Sequence, residues 1–188
     1  MGLRVEQVAG YAERELDGDL ARWFAGAPRA AVPARVRPVE PFLARLPQAA
    51  ATALAALDLR VRTGALPAAL GIEDWSYAFE FEANGCQVLD TDYATELPDA
   101  DVWSVGADGS GNYFVVLTDG RVAVWFHEEE VIEAGTHFDD LDVFLWTIVR
   151  YHAVKAGVLT LAEIEQDLRD LAQPGVLAPD IGLLASLA

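Results

Sequence analysis

The 188-residue chain has little cysteine and no long apolar run. Its one cysteine, Cys86, cannot form an internal disulfide, and a lone cysteine is typical of a reducing compartment. The longest apolar stretch, Ala49 to Leu57, is far shorter than the ~20 residues of a membrane span. The N-terminal residues are charged where a secretory signal would be apolar, and Glu6 stands where a myristoylation site needs Ser or Thr. We therefore expect a cytoplasmic protein with no membrane partner.

Basic residues are also scarce, and unevenly so. Residues 1–70 hold 9 Lys and Arg against 7 Asp and Glu, whereas residues 71–188 hold 4 against 23. Such a field repels phosphate backbones and attracts basic proteins, although general solubility would also explain it. We therefore expect no direct nucleic-acid binding. Core packing, and not base stacking, is then the expected role of four tryptophans: Trp75, Trp103, Trp125 and Trp146.

The first 65 residues are predicted to form a helical segment. Apolar spacing and alanine content predict helices over 3–16, 19–25 and 48–63. Four prolines between residues 26 and 41 exclude a regular helix there and indicate an extended connection. The predicted organisation is a helical segment, an α+β domain and a tail, at 1–65, 66–175 and 176–188.

Residues 102–126 contain three apolar runs and two glycine-rich turns, which predict the centre of a β-sheet. The step Asp119-Gly120 between two β-rich runs is a strong hairpin signal. A two-residue turn at this step would place Val115 opposite Val124, and every neighbouring pair would follow from that register. Both faces of the hairpin are apolar, so we expect each face to be covered.

The segments on either side of this hairpin carry weaker patterns. Aromatic and polar residues alternate over 75–82, which predicts a strand, and Asn84-Gly85 would turn it into a second arm at 86–89. Residues 130–133 predict one more short strand. Further on, Thr136-x-x-Asp139 resembles the capping box of a helix that Gly157 ends.

A second capping box, Thr160-x-x-Glu163, predicts the last helix of the chain. Apolar residues at helical spacing continue it to Leu171, and Pro174-Gly175 would stop it.

The segment Asp108-Gly-Ser-Gly-Asn112 could be a calcium loop or a structural turn. Acidic and polar residues stand at the first, third and fifth loop positions, but Tyr113 occupies the sixth, where the calcium loop needs glycine. The turn interpretation is therefore preferred, and no metal site is predicted. The residues expected to act as turn residues are Asp108, Gly109, Gly111, Asp119 and Gly120.

Three histidines are the remaining candidates for chemistry: His127, His137 and His152. No pair has the spacing of a helical metal site. His127 lies beside Glu128, Glu129 and Glu130 and could form an acid–base pair, but no motif places a nucleophile near it. We therefore predict no catalytic residues and no cofactor.

The order of parts over residues 102–146 resembles the SUKH superfamily. The matching steps are Trp103-Ser-Val-Gly-Ala-Asp-Gly-Ser-Gly-Asn-Tyr-Phe, Asp119-Gly-Arg-Val, Trp125-Phe-His-Glu and Phe138-Asp-Asp-Leu-Asp-Val-Phe-Leu. The family's N-terminal helix, which contains Pro and ends in Asn-Gly, is echoed only by Leu66-Pro67-Ala-Ala-Leu70 and Asn84-Gly85.

This resemblance implies an α+β domain with one antiparallel sheet of about five or six strands flanked by helices. It also implies a non-enzymatic binding protein, since many bacterial members are immunity proteins that neutralise a partner toxin, often a nuclease. The acidic charge agrees, because it would fit the basic groove of such a toxin. The alternatives are a regulatory scaffold for an unrelated cellular protein and a small metal-dependent hydrolase that uses His127.

Two acidic stretches, one before the central hairpin and one after it, are predicted to contact the partner toxin. Their residues are Asp90, Asp92, Glu96, Asp99, Asp101, Glu128, Glu129, Glu130, Asp139 and Asp140. A solvated surface without a partner is the alternative interpretation of such charge runs.

Overall fold

A computed structural model describes residues 2–91, 95–179 and 182–187, and these residues form the predicted α+β fold. Its sheet has six strands in the order β2-β1-β6-β5-β4-β3. The strands are β1 Leu89–Asp90, β2 Thr95–Glu96, β3 Val102–Ala107, β4 Tyr113–Leu117, β5 Val122–Phe126 and β6 Val131–Ile132. The expectation of an antiparallel sheet is wrong at one pairing, because β1 runs parallel to β6 with Leu89 opposite Val131.

Eight α-helices accompany the sheet in the described part of the chain. They are α1 Val5–Val8, α2 Tyr11–Arg14, α3 Leu16–Phe24, α4 Glu40–Leu43, α5 Gln48–Arg62, α6 Leu141–Lys155, α7 Leu161–Leu171 and α8 Pro174–Leu177. None of these helices combines the length and the apolar character that crossing a bilayer requires.

The central hairpin forms as predicted, but its register is wrong by one residue. Val115 lies opposite Ala123, not Val124. The cause is a three-residue loop, in which the amide of Leu117 donates to the carbonyl of Arg121 at 2.9 Å. Gly120 adopts a φ of +93° in this loop, as in a type I turn followed by a glycine bulge. A one-residue change of register places each residue of β5 opposite a different residue of β4. Both apolar faces of the hairpin nevertheless remain covered.

The two faces of the sheet are covered in different ways. One face carries Phe114, Val116 and Val122, which join the main core with side chains from the helices, including Leu57 and Phe144. The other face forms a smaller core under irregular chain. Its buried members are Phe81, Val88, Val102, Val115, Leu117, Ala123, Trp125 and Ile132.

The predicted strand over 75–82 is wrong, as is the predicted hairpin arm at 86–89. The segment instead wraps around the free edge of β3: the amide of Ala78 donates to the carbonyl of Ser104 at 2.9 Å. Ala78 has a φ of +54°, which no strand permits. As a result Tyr77 enters the main core and Phe81 enters the smaller one. The alternation of aromatic side chains therefore marks a covered sheet edge.

The N-terminal third is helical, but its helices are shorter than predicted. The single helix expected over 3–16 is divided, because Gly10 adopts a φ of +79° between α1 and α2. The connection at 26–41 is irregular up to Val39, after which α4 begins, and α5 follows the prediction closely. Tyr11 and Leu54 are fully buried in the same core as Phe144, so residues 1–65 share their core with the sheet.

The C-terminal helices confirm one capping prediction and correct the other. Thr160 and Glu163 form the predicted capping box of α7. Helix α6, however, begins after Asp140, whose Oδ1 accepts the amide of Val143 at 2.8 Å, and not at the predicted box of Thr136-x-x-Asp139. Phe138 lies outside the helix and bridges to Val122 at the start of β5.

Beyond α7 the chain forms the short helix α8 and then returns to the core. The side chain of Leu184 is 9% exposed, and the hydroxyl oxygens of Tyr151 and Ser186 lie 2.9 Å apart.

Candidate functional site

Three loops meet at one end of the sheet: residues 71–76, 108–112 and 127–130. We call this surface the three-loop end. The first loop is attached to β3, since the amide of Ala107 donates to the carbonyl of Gly71 at 3.1 Å. The second and third are joined by Asn112, whose Oδ1 accepts the amide of His127 at 3.2 Å. The loops therefore form one connected surface.

Loop 108–112 is a self-satisfied turn, as the sequence predicts. The Oδ1 atom of Asp108 accepts the amide of Ser110 at 2.7 Å, and its Oδ2 accepts the side-chain amide of Asn112 at 2.8 Å. Both carboxylate oxygens of Asp108 are thus bound to protein N–H groups. Among the described residues no group of three or more His, Cys, Asp or Glu side chains is arranged to hold a metal ion.

Loop 127–130 is fixed at both of its ends. The Nδ1 atom of His127 lies 3.0 Å from Oδ1 of Asn112, and a Cβ added at Gly111 would meet that ring nitrogen at 2.9 Å. Glu130 has a φ of +56°, and its Oε2 accepts the amide of Gln87 at 2.9 Å. Between these two anchors Glu128 and Glu129 are exposed.

Loop 71–76 presents an exposed tryptophan on a rigid base. The hydroxyl of Ser76 is buried, donates to the carbonyl of Gly71 at 2.7 Å and accepts the amide of Glu73 at 2.9 Å. The side chain of Trp75 is 48% exposed, which contradicts the expectation that it packs in the core. Its indole N–H donates to Oε2 of Glu73 at 2.8 Å, which fixes the ring.

The three-loop end lies in a strongly acidic part of the chain. Residues 63–149 contain eighteen Asp and Glu but a single basic residue, Arg121. Arg121 lies at the opposite end of the hairpin, where its Nε is 2.7 Å from Oδ2 of Asp119. The three loops themselves carry carboxylates and no Lys or Arg, so we expect a negative potential at the three-loop end.

Two clefts flank loop 108–112. The first, of about 430 Å³, is lined by Ser110, Asn112, Phe126, His127, Glu128, Glu129 and Glu133. The second, of about 500 Å³, also borders Asp108, together with Tyr151, the C-terminal residues and Lys155, the one lysine of the chain. The first cleft is thus lined by acidic side chains, whereas the second contains one cationic side chain, Lys155.

Most of the predicted partner-binding carboxylates have structural roles. The carboxylate of Asp99 accepts the amides of Phe81 and Glu82, at 2.9 and 3.2 Å, and Asp101 pairs with Arg45. The buried Asp90 is 5% exposed in β1.

The predicted residues near α6 are structural as well, and the rest differ in exposure. Asp139 is bonded through its Oδ2 to the side-chain amide of Gln173 at 3.0 Å, and Asp140 caps α6. Burial raises the pKa of the Asp140 carboxyl above its usual range. Asp92 lies outside the described residues. Glu130 is anchored to Gln87, while Glu96, Glu128 and Glu129 are exposed.

The two other histidines do not join His127. His152 is on α6, where burial and then the nearby Lys155 lower its pKa to about 4, so it is neutral near pH 7. The carbonyl of His137 accepts the amide of Gly175 at 2.9 Å, close to the start of α8.

Glu128 and Glu129, which the sequence predicts to contact a partner, are exposed, whereas Trp75 was expected in the core. The alternating pattern around Trp75 is that of a strand, and only the hydrogen bonds of Ser76 and the φ of Ala78 reveal a loop.

A scan of protein-family models, a search of curated proteins and a search of solved structures each found no match.

Proposed function

We propose that this protein is a non-enzymatic binding domain of the immunity type, which neutralises a basic toxin through its three-loop end. The observation that carries the proposal is the exposed pair Glu128 and Glu129 beside an acidic cleft of about 430 Å³ on a hydrogen-bonded base. The resemblance of residues 102–146 to the SUKH superfamily supports the immunity role.

A rigid, acidic surface suits a protein partner with a basic patch. Complementary charge accelerates the encounter of two proteins and excludes like-charged competitors. Because loop 127–130 is already bonded to Asn112 of loop 108–112 and to the amide of Gln87, little ordering of this loop is needed when the partner binds. A nuclease toxin is a natural partner, since its active groove must be basic to hold phosphates.

A growth-rescue assay tests this proposal. The protein encoded by the neighbouring gene is expressed with and without this chain, and cells that make it are expected to survive only when this chain is also present. Survival is expected to fall with the double variant Glu128→Lys/Glu129→Lys. The control Glu6→Lys/Glu13→Lys makes the same change in net charge at exposed positions on α1 and α2, and is expected to protect like the wild type.

Two outcomes would contradict the proposal. A neighbouring protein that is toxic and is neither bound nor neutralised by this chain would remove the immunity role. Binding of a cellular protein without any protection would favour the regulatory scaffold instead.

A further inference from the structure

Arginine side chains lie over the rings of several tryptophans in this chain. The guanidinium carbon of Arg150 lies 3.9 Å from the ring centroid of Trp146 and 5.0 Å from that of Trp23. That of Arg37 lies 4.5 Å from the centroid of Trp103. Three of the five tryptophans thus carry an arginine over the ring, at distances typical of cation–π contacts.

The two remaining tryptophans differ from each other in burial. Trp125 is 2% exposed in the smaller core, and its indole N–H donates to the carbonyl of Gln87 at 2.9 Å. Trp75 is 48% exposed, and among the described residues no Lys or Arg lies over its ring. Its ring is therefore available to a cation from outside.

Neighbouring side chains fix the orientation of the Trp75 ring. Its ring meets Tyr113 edge-on with centroids 6.2 Å apart, and Tyr113 in turn stacks on Phe79 at 4.6 Å. The bond from its indole N–H to Glu73 places a carboxylate beside the ring, and the exposed Asp74 is the adjacent residue. An aromatic face next to carboxylates is well matched to a guanidinium group, which can stack and donate hydrogen bonds at once.

We propose that Trp75 is the anchor of the interface and receives an arginine side chain from a basic segment of the partner, next to Glu73 and Asp74. This inference rests on the proposed function and names the chemistry of the partner that the three-loop end selects. Charge complementarity supports it, since residues 63–120 contain no Lys or Arg that could compete for the ring. Large aromatic side chains paired with arginine are typical of interface hot spots.

The test uses the full chain and a nona-arginine peptide as a probe, with nona-lysine for comparison. The five indole N–H groups are followed in ¹⁵N-labelled protein, and the signal absent from the Trp75→Phe variant identifies Trp75. Nona-arginine is expected to shift the Trp75 signal and to leave that of the buried Trp125 in place. Arginine is expected to bind more tightly than lysine, because its planar group stacks on the ring.

Affinity measurements complete the test. Trp75→Ala is expected to weaken nona-arginine binding roughly three- to tenfold at constant salt, as the loss of a partly desolvated cation–π contact would. Trp75→Phe retains the packing on Tyr113 and is expected to show a smaller loss. Leu59→Ala is a matched control, because Leu59 is 63% exposed on α5, and is expected to bind like the wild type.

The outcomes separate this inference from the proposed function. If Trp75→Ala binds as tightly as the wild type while Glu128→Gln/Glu129→Gln binds more weakly, the acidic surface remains and the Trp75 anchor is wrong. Absence of nona-arginine binding would also overturn the anchor, and the growth-rescue assay would still decide the proposed function on its own.

Discussion

Buried carboxylates hold distant segments of this chain together. Asp142 is 7% exposed in the first turn of α6, and its two oxygens accept the amides of Gly10 and Ala12 at 2.7 and 2.8 Å. Asp58, also 7% exposed, accepts the hydroxyl of Tyr77 at 2.9 Å. The sequence offers no sign of these roles, because an acidic residue in a helix is ordinarily exposed.

Removal of the Asp142 carboxylate is expected to destabilise the fold. Asp142→Ala leaves two backbone N–H groups without their acceptor in a mostly buried site, which should lower the free energy of unfolding by about 2–4 kcal/mol. The control is Asp167→Ala on α7, where the expected change is within about 0.5 kcal/mol. Urea denaturation measures both. Equal midpoints for the two variants would contradict the role assigned to Asp142.

His152 gives the protein a specific pH dependence. Its pKa is lowered to about 4 in the folded state, against the ordinary 6.5, so the unfolded chain binds the proton more readily. Stability from this residue is therefore present above pH 6.5 and is lost as the pH falls toward 4. In His152→Gln, the part of the stability loss that comes from protonation of His152 should disappear. Denaturation curves for both proteins between pH 7 and 4 test it, and parallel losses would refute it.

At the scale of elements, long and regular patterns were predictable and short ones were not. Helices α5 and α7 follow the predicted bounds closely, because alanine-rich composition and a capping box act locally. The prediction of a strand over 75–82 is wrong, because side chains alternate both in a strand and in a segment that wraps around the edge of a sheet. Which one forms depends on Ser104, whose backbone and hydroxyl oxygens bind Ala78 and Phe79 and are far away in sequence.

The turn between β4 and β5 determines the register, so its glycine should be difficult to replace. In Gly120→Ala the residue keeps a φ of +93°, and the new Cβ would lie 3.1 Å from that of Ala50. A loss of about 1–2 kcal/mol in the free energy of unfolding is expected. Gly26→Ala is the control, since no atom lies within 4 Å of the added Cβ. Calorimetry compares the two, and equal unfolding temperatures would contradict the turn assignment.

At the scale of the whole molecule, residues 1–65 and the sheet share one core. Tyr11, Leu16 and Leu54 are fully buried in contact with the same cluster as Phe144. Removing residues 1–65 would expose this apolar surface. The fragment 66–188 is therefore expected to lack a cooperative unfolding transition, which circular dichroism during heating would show. A sharp transition in the fragment would instead support an independent domain that begins near residue 66.

The candidate site was also only partly predictable, because contacts between distant segments decide which side chains are exposed. Charge is visible in the composition, so Glu128 and Glu129 could be selected from the sequence as candidate surface residues, and both are exposed. Whether a carboxylate is free is decided by tertiary contacts, and Asp99 and Asp139 are bound to distant groups. The exposure of Trp75 depends in the same way on how its loop joins β3.

The most direct test of the central claim is the salt dependence of binding to the protein encoded by the neighbouring gene, which is the proposed partner. Wild type is expected to bind with an affinity that falls steeply as salt rises, since exposed charges are screened. Glu128→Lys/Glu129→Lys is expected to associate more slowly and to lose most of this dependence, whereas Glu6→Lys/Glu13→Lys is expected to retain it. If the two double variants bind alike at low salt, the three-loop end is not the interface.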